Sequence, residues 1–256
     1  MTDQPGFASY LTIAVILSLS LIVLTGFAGD KDSTNHKQNL PEIDKRTYEN
    51  IEKATFALGC FWGGDARFGA EPGVIRTRVG YAGGTTKNPT YRNIGDHTES
   101  IQVEYNPEEV SFKELVGIFW AYHDPFAGSY SNQYAKILFY HDSIQEEIAE
   151  ESRQEIAKQG DGTVATRVEQ LDNFYVAEDY HQKYRLKQSK TFMESLSEYY
   201  GEPDALRDST AAARLNGYVA GYGTPEEVEK NIGKLGLSSD ARDKLAQKFG
   251  LDPDVN

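Results

Sequence analysis

Ala54-Thr55-Phe56-Ala57-Leu58-Gly59-Cys60-Phe61-Trp62-Gly63-Gly64 is the stretch from which the fold of this chain is read. Residues 54–58 alternate and favour a strand, glycine breaks the run at 59, and a helical pattern follows to about Gly69. Outward from there, 74–81 reads as a second strand ended by Gly83-Gly84, and 101–105 as a third with clear alternation. Ser111 caps a helix to Tyr122, with Leu115, Ile118 and Phe119 on one face. Further on come a strand at 135–140, an acidic amphipathic helix at 143–159, a strand at 164–171 and a helix at 177–190. Strands and helices mix without a glycine-rich phosphate motif. The pattern predicts an α+β two-layer sandwich, a mixed β-sheet with covering helices and a ferredoxin-like core. Residues 191–256 read as a helical C-terminal extension, in which Thr224-Pro225-Glu226-Glu227 and Ser238-Ser239-Asp240 start two short helices.

At the other end, residues 5–29 carry no charge and are mostly apolar, long enough for the ~20 residues that span a bilayer. An N-terminal apolar helix is expected over 1–29, a membrane anchor or an export signal, with the side of the membrane undecided. Residues 30–50 are polar and read as a linker. The boundaries are thus 1–29, 30–50, a compact domain at 51–190 and the extension at 191–256.

The 256 residues carry a net charge of −13, which argues against a phosphate-binding surface and against nucleic acid as a partner. The single cysteine rules out an intramolecular disulfide and a cysteine-based metal cluster. The five histidines show no ligand spacing of a metal site. Cys60 stands where a strand ends and a helix begins. Backbone N–H groups there favour an anion, so its thiol is expected to be more acidic than usual. Phe61 and Trp62 supply an apolar wall beside the sulfur.

Gly59-Cys60-Phe61-Trp62-Gly63 resembles the signature of the A-type peptide methionine sulfoxide reductases. The likeness continues through Gly80-Tyr81-Ala82-Gly83-Gly84, Asn88-Pro89-Thr90-Tyr91, Gly95-Asp96-His97-Thr98-Glu99 and Val103-Glu104-Tyr105-Asn106-Pro107. Phe119-Trp120 with His123-Asp124-Pro125, Gln133-Tyr134 and Ala177-Glu178-Asp179-Tyr180-His181-Gln182 complete it. The blocks keep the family's order from residue 54 to about 188.

The resemblance implies thiol-dependent reduction of methionine (S)-S-oxide, free or in proteins, with Cys60 as nucleophile. Glu99 would be the acid that protonates the departing oxygen, which leaves poorly otherwise. Tyr81 and Tyr134 would hold that oxygen, and Phe61 and Trp62 would cage the substrate's methyl group. The product is a Cys60 sulfenic acid. Many members resolve it with a C-terminal cysteine. Here an outside thiol must act, a thioredoxin or a small thiol with glutaredoxin-like help. No metal or organic cofactor is required, and a monomer is the default. His181, with Glu178 and Asp179, is read as structural.

The chain departs from the family in the short stretch after Pro125, where Ser129 stands at the place of an aspartate. The segment 211–223 replaces the usual Gly-Tyr-Cys tail and is expected to fold back near the pocket. Two other readings compete. A papain-like protease would pair Cys60 with His181, but there is no upstream glutamine for its oxyanion hole. A membrane-tethered binder or sensor of oxidised methionine would have no need of an acid at Glu99.

Overall fold

In the computed structural model, which describes residues 40–160 and 162–252, β1 (Glu52–Leu58) is buried from Ala54 onward. That burial places it inside a six-stranded sheet with β2 (Val74–Ala82), β3 (Thr98–Tyr105), β4 (Lys136–Tyr140), β5 (Arg167–Gln170) and β6 (Phe174–Val176). The order is β5-β4-β1-β3-β2-β6. All neighbours are antiparallel except β4 and β5, so the sheet is mixed. β6, only three residues long, is too short to show the alternation by which the other strands are read.

Alternate side chains of β1 go to opposite faces. Phe56 stacks on Phe68 of α1 (Phe61–Gly69) at 4.7 Å and on Phe119 of α2 (Phe112–Ala121) at 5.4 Å. Ala57 on the other side joins a thinner cluster with Ala82, Ile137 and Phe139, under Leu171 and Phe174. One helix layer therefore covers the large aromatic face. Ser111 caps α2 as expected, since its hydroxyl accepts from the Glu114 N–H and the Glu114 carboxylate accepts from the Ser111 N–H. α3 (Ser143–Ala157) packs beside β4 and β5.

The single helix expected over 177–190 does not form. A 3₁₀ turn at Asp179–His181 is followed by Lys183 in the left-handed region, with φ 52°, and only then by α4 (Tyr184–Lys187). The cause is where Lys183 puts its charge. Its side chain is fully buried, and its ammonium donates to Asp65 Oδ1 at 2.9 Å and to the carbonyl and hydroxyl of Thr77. Its backbone N–H gives to Asp65 Oδ2 at 3.1 Å instead of continuing a helix. Desolvation holds the Lys183 pKa below the ordinary lysine range against the pull of Asp65.

Beyond α4 the chain builds a second core. α5 (Lys190–Ser197), α6 (Pro203–Arg207), α7 (Thr210–Ala220), α8 (Pro225–Ile232) and α9 (Ser239–Lys248) bury Phe192, Leu196, Leu215, Val228 and Leu245 together. Thr224 and Ser238 cap α8 and α9, as expected. Within the stretch read as a linker, Glu42–Lys45 forms a 3₁₀ turn whose Ile43 enters this core. α7 lies directly on α1. A side chain at Gly217 would put its Cβ 2.6 Å from the Ala66 carbonyl oxygen, so only glycine allows the approach. The next residue back, Asn216, donates to Asp65 Oδ2 at 3.1 Å and accepts from the Leu186 N–H at 3.0 Å.

Replacing Asn216 by leucine leaves both partners buried without it. The expected loss is about 1–3 kcal/mol in a denaturant titration at unchanged slope. An unshifted midpoint would show that the Asp65 network does not fasten the extension to α1.

The apolar run at 5–29 lies outside the described residues, as does the expected N-terminal helix. Among the described residues no helix is long and apolar enough to cross a membrane. The membrane-anchored or exported location read from that run is accordingly withdrawn.

Candidate active site

Gly59, with φ +87°, turns the chain sharply out of β1, and Cys60 becomes the N-cap of α1. Cys60 is a free thiol exposed to solvent. The Trp62 and Gly63 N–H groups of the first turn reach it and favour its thiolate, as does the charge of Arg185. The expected acidification is nevertheless overturned. Partial desolvation of the thiol by its surroundings is the largest influence and pushes it up, and the nearby Glu99 charge pushes the same way.

Glu99 lies beneath this turn. It sits on β3 directly opposite Tyr81 on β2, so the two side chains share one face of the sheet. Glu99 is 1% exposed. Its Oε2 accepts from the Phe61 N–H at 3.1 Å, and its Oε1 from Gln133 Nε2 at 2.8 Å. Desolvation raises its pKa above the ordinary glutamate range despite these two donors. A carboxyl that resists ionisation is thus bonded to the amide of the residue after the thiol.

Gln133 belongs to a 3₁₀ turn, Asn132–Tyr134, anchored where Thr98 Oγ1 donates to the Asn132 carbonyl at 2.7 Å. The turn brings Tyr134 into a hydrogen bond with Tyr91. Burial, that bond and the Glu99 charge all keep the Tyr134 hydroxyl protonated. Tyr81 is fully buried, and its hydroxyl donates to Glu178 Oε2 at 2.7 Å. Burial and the Glu178 bond raise its pKa far above the ordinary value. Glu178 also accepts from the Tyr91 N–H at 3.0 Å. Its own burial opposes ionisation, yet the Tyr81 and Tyr91 donors hold its pKa below the glutamate range.

Phe61 and Trp62 flank the thiol on α1. Trp62 stacks on Tyr184 at 3.6 Å with the rings 2° from parallel. Its Nε1–H donates to His181 Nδ1 at 3.2 Å. His181 packs against Phe61 at 5.0 Å and Tyr91 at 4.6 Å. Desolvation keeps its imidazole less basic than usual, so it is a neutral wall element. The structure therefore gathers Cys60, Phe61, Trp62, Tyr81, Glu99 and Tyr134, the last through its neighbour Gln133. It adds Gln133, Glu178, Tyr91 and Tyr184, all within or beside the sequence blocks quoted above. Their signal is present in those blocks, but only the tertiary contacts assign it. The segment 211–223 does fold back toward this site: the Tyr222 hydroxyl meets that of Tyr122 at 2.5 Å, next to Gly63.

Residues 52–209 match the family model described as peptide methionine sulfoxide reductase, more than half of the chain. The chain belongs to the peptide methionine sulfoxide reductase family. Residues 202–243 further match a family model described as the helical domain of selenoprotein methionine sulfoxide reductase A. A Drosophila melanogaster peptide methionine sulfoxide reductase is 42% identical over 75% of this chain and 79% of its own. Peptide methionine sulfoxide reductase A5 of Oryza sativa is 40% identical over 77% of this chain and 76% of its own. Among solved structures, Mxr1 of Saccharomyces cerevisiae in reduced form aligns with a TM-score of 0.52 at 28% identity, covering 56% of this chain and 89% of Mxr1. The family match thus spans both the sheet that carries Glu99 and Tyr81 and the start of the extension that packs on α1.

Proposed function

We propose that this protein reduces methionine (S)-S-oxide, free or in oxidised proteins, with Cys60 as nucleophile and Glu99 as acid. The observation that carries the assignment is the Phe61 N–H bond to a buried Glu99 whose pKa is raised by desolvation, which sets a carboxyl suited to proton donation beside the thiol. Cys60 Sγ attacks the sulfoxide sulfur while Glu99 protonates the oxygen. The oxygen passes to Cys60 as sulfenic acid, and methionine leaves, its sulfur reduced by two electrons. Tyr81 and Tyr134 steady the oxygen. The Tyr81 hydroxyl donates to Glu178 in the free protein, so Tyr81 turns from that acceptor to the oxygen when substrate arrives. Phe61 and Trp62 hold the methyl group, and the Tyr184 stack keeps the indole in place.

Two finer points belong to the same reading. The central order β4-β1-β3-β2, antiparallel throughout, supports reading the sheet as a ferredoxin-like core. The sulfenic acid is returned to the thiol by an outside reductant, a thioredoxin or a small thiol, because the chain holds a single cysteine.

The test is dithiothreitol-driven turnover of peptide methionine sulfoxide, with the two epimers at sulfur assayed separately. Consumption of the S epimer with the R epimer left intact is expected. Equal consumption of both, or of neither, by folded protein would sink the assignment.

A further inference from the structure

Against α1 lies a second cleft, with a volume of about 420 Å³, walled by Gly63, Ala66, Tyr122, Arg185, Val219 and Tyr222. That volume suits a small molecule. The cleft adjoins the nucleophile, because Gly63, whose N–H reaches the Cys60 thiol, is also part of its wall. The far wall comes from the end of α7 and the residues after it. The Tyr122–Tyr222 hydroxyl pair therefore closes the catalytic helix against the extension.

The charge in this cleft is unusual for the molecule. Arg185 is exposed and makes no ion pair or hydrogen bond with any described residue. Arg67, which sits over the Tyr222 ring, is already paired with Glu71 at 3.0 Å. In a chain of net charge −13, an unpaired guanidinium beside a reactive thiol is a local exception to a field that repels anions. A guanidinium in such a position binds carboxylates well.

We propose that this cleft is the docking site of the reductant, a small thiol bearing a carboxylate, with the carboxylate on Arg185 and the sulfur delivered past Gly63 to Cys60. This rests on the reductase reading above. The thiolate of the first molecule attacks Cys60 Sγ, so the S–S bond forms as the S–OH bond breaks. The departing hydroxide takes a proton and leaves as water. A second thiol attacks the mixed disulfide, releasing the symmetrical disulfide and the Cys60 thiolate. Two thiols give up one electron each, and the sulfenic sulfur gains both. A protein dithiol would approach over a broad face and would have no use for a carboxylate pocket.

The full-length protein is assayed at saturating methionine (S)-S-oxide with three thiols: glutathione, its dimethyl ester and dithiothreitol. The readout is the ratio of kcat/KM for glutathione to that for each thiol lacking a carboxylate. Arg185→Gln is expected to lower both ratios about fivefold, the scale of one partly exposed charge pair, and Arg185→Lys to recover most of the loss. Taking ratios cancels any change in the sulfoxide step. Ratios that do not move overturn the proposal. So does a loss confined to thioredoxin-driven turnover in a parallel assay with that protein as reductant, which would make the cleft a protein contact. Absence of dithiothreitol turnover in the unsubstituted protein would overturn the reductase reading itself, and the docking role with it.

Discussion

Replacing Cys60 by serine will abolish turnover with every reductant, while sulfoxide still binds between Phe61, Trp62 and His181. The hydroxyl keeps the N-cap position and the shape of the turn. It lacks the high-lying, polarisable sulfur lone pair that attacks sulfur and the capacity to carry the transferred oxygen as a sulfenic acid. The same logic fixes a stoichiometry. Without reductant, the unsubstituted protein should release one methionine per chain and then stop, because its single cysteine has nothing to pair with. Mass spectrometry after trapping with a sulfenic-acid reagent should find the adduct on Cys60 alone. Continued release beyond one equivalent without reductant, or residual turnover in Cys60→Ser, would place the redox chemistry elsewhere.

Much of this is legible in the sequence alone. Glycine at 59 stops a strand and starts a helix, and that one event puts Cys60 at the N-terminus of α1. The caps at Ser111, Thr224 and Ser238 are readable because capping is a matter between near neighbours in sequence. What stays hidden depends on register and burial. That Tyr81 and Glu99 face each other follows from β2–β3 pairing, which no local pattern states. The 177–190 stretch looks continuous because a lysine is a good helix former. Only the buried Asp65 shows why Lys183 leaves the helix. The acidity of Cys60 is misread from sequence for a related reason. The helix start is visible there, but the desolvation and the Glu99 charge that outweigh it are not.

Glu99→Gln should cost about 10²–10⁴-fold in the sulfoxide step, the usual contribution of a positioned acid. The fold should survive. Gln133 can turn its amide over to accept from the new amide nitrogen, while the remaining carbonyl oxygen of the substituted side chain keeps the Phe61 N–H. The pH profile carries the sharper test. Glu99 and Cys60 both titrate above their ordinary ranges, and the reactive arrangement is thiolate with carboxylic acid. That arrangement holds as many protons as thiol with carboxylate, so the two interchange without any dependence on pH. The rate of the unsubstituted protein should then be flat between the two titrations. It should fall below the raised Glu99 pKa, where both groups are protonated, and above the raised Cys60 pKa, where both have ionised. In Glu99→Gln the proton count changes. Only the thiolate remains to be formed, so the residual rate should climb through the Cys60 titration, which itself moves down once the Glu99 charge is gone. A profile in Glu99→Gln that keeps an alkaline fall would mean that the acid is some other group, with the Tyr81 hydroxyl that donates to Glu178 the first place to look.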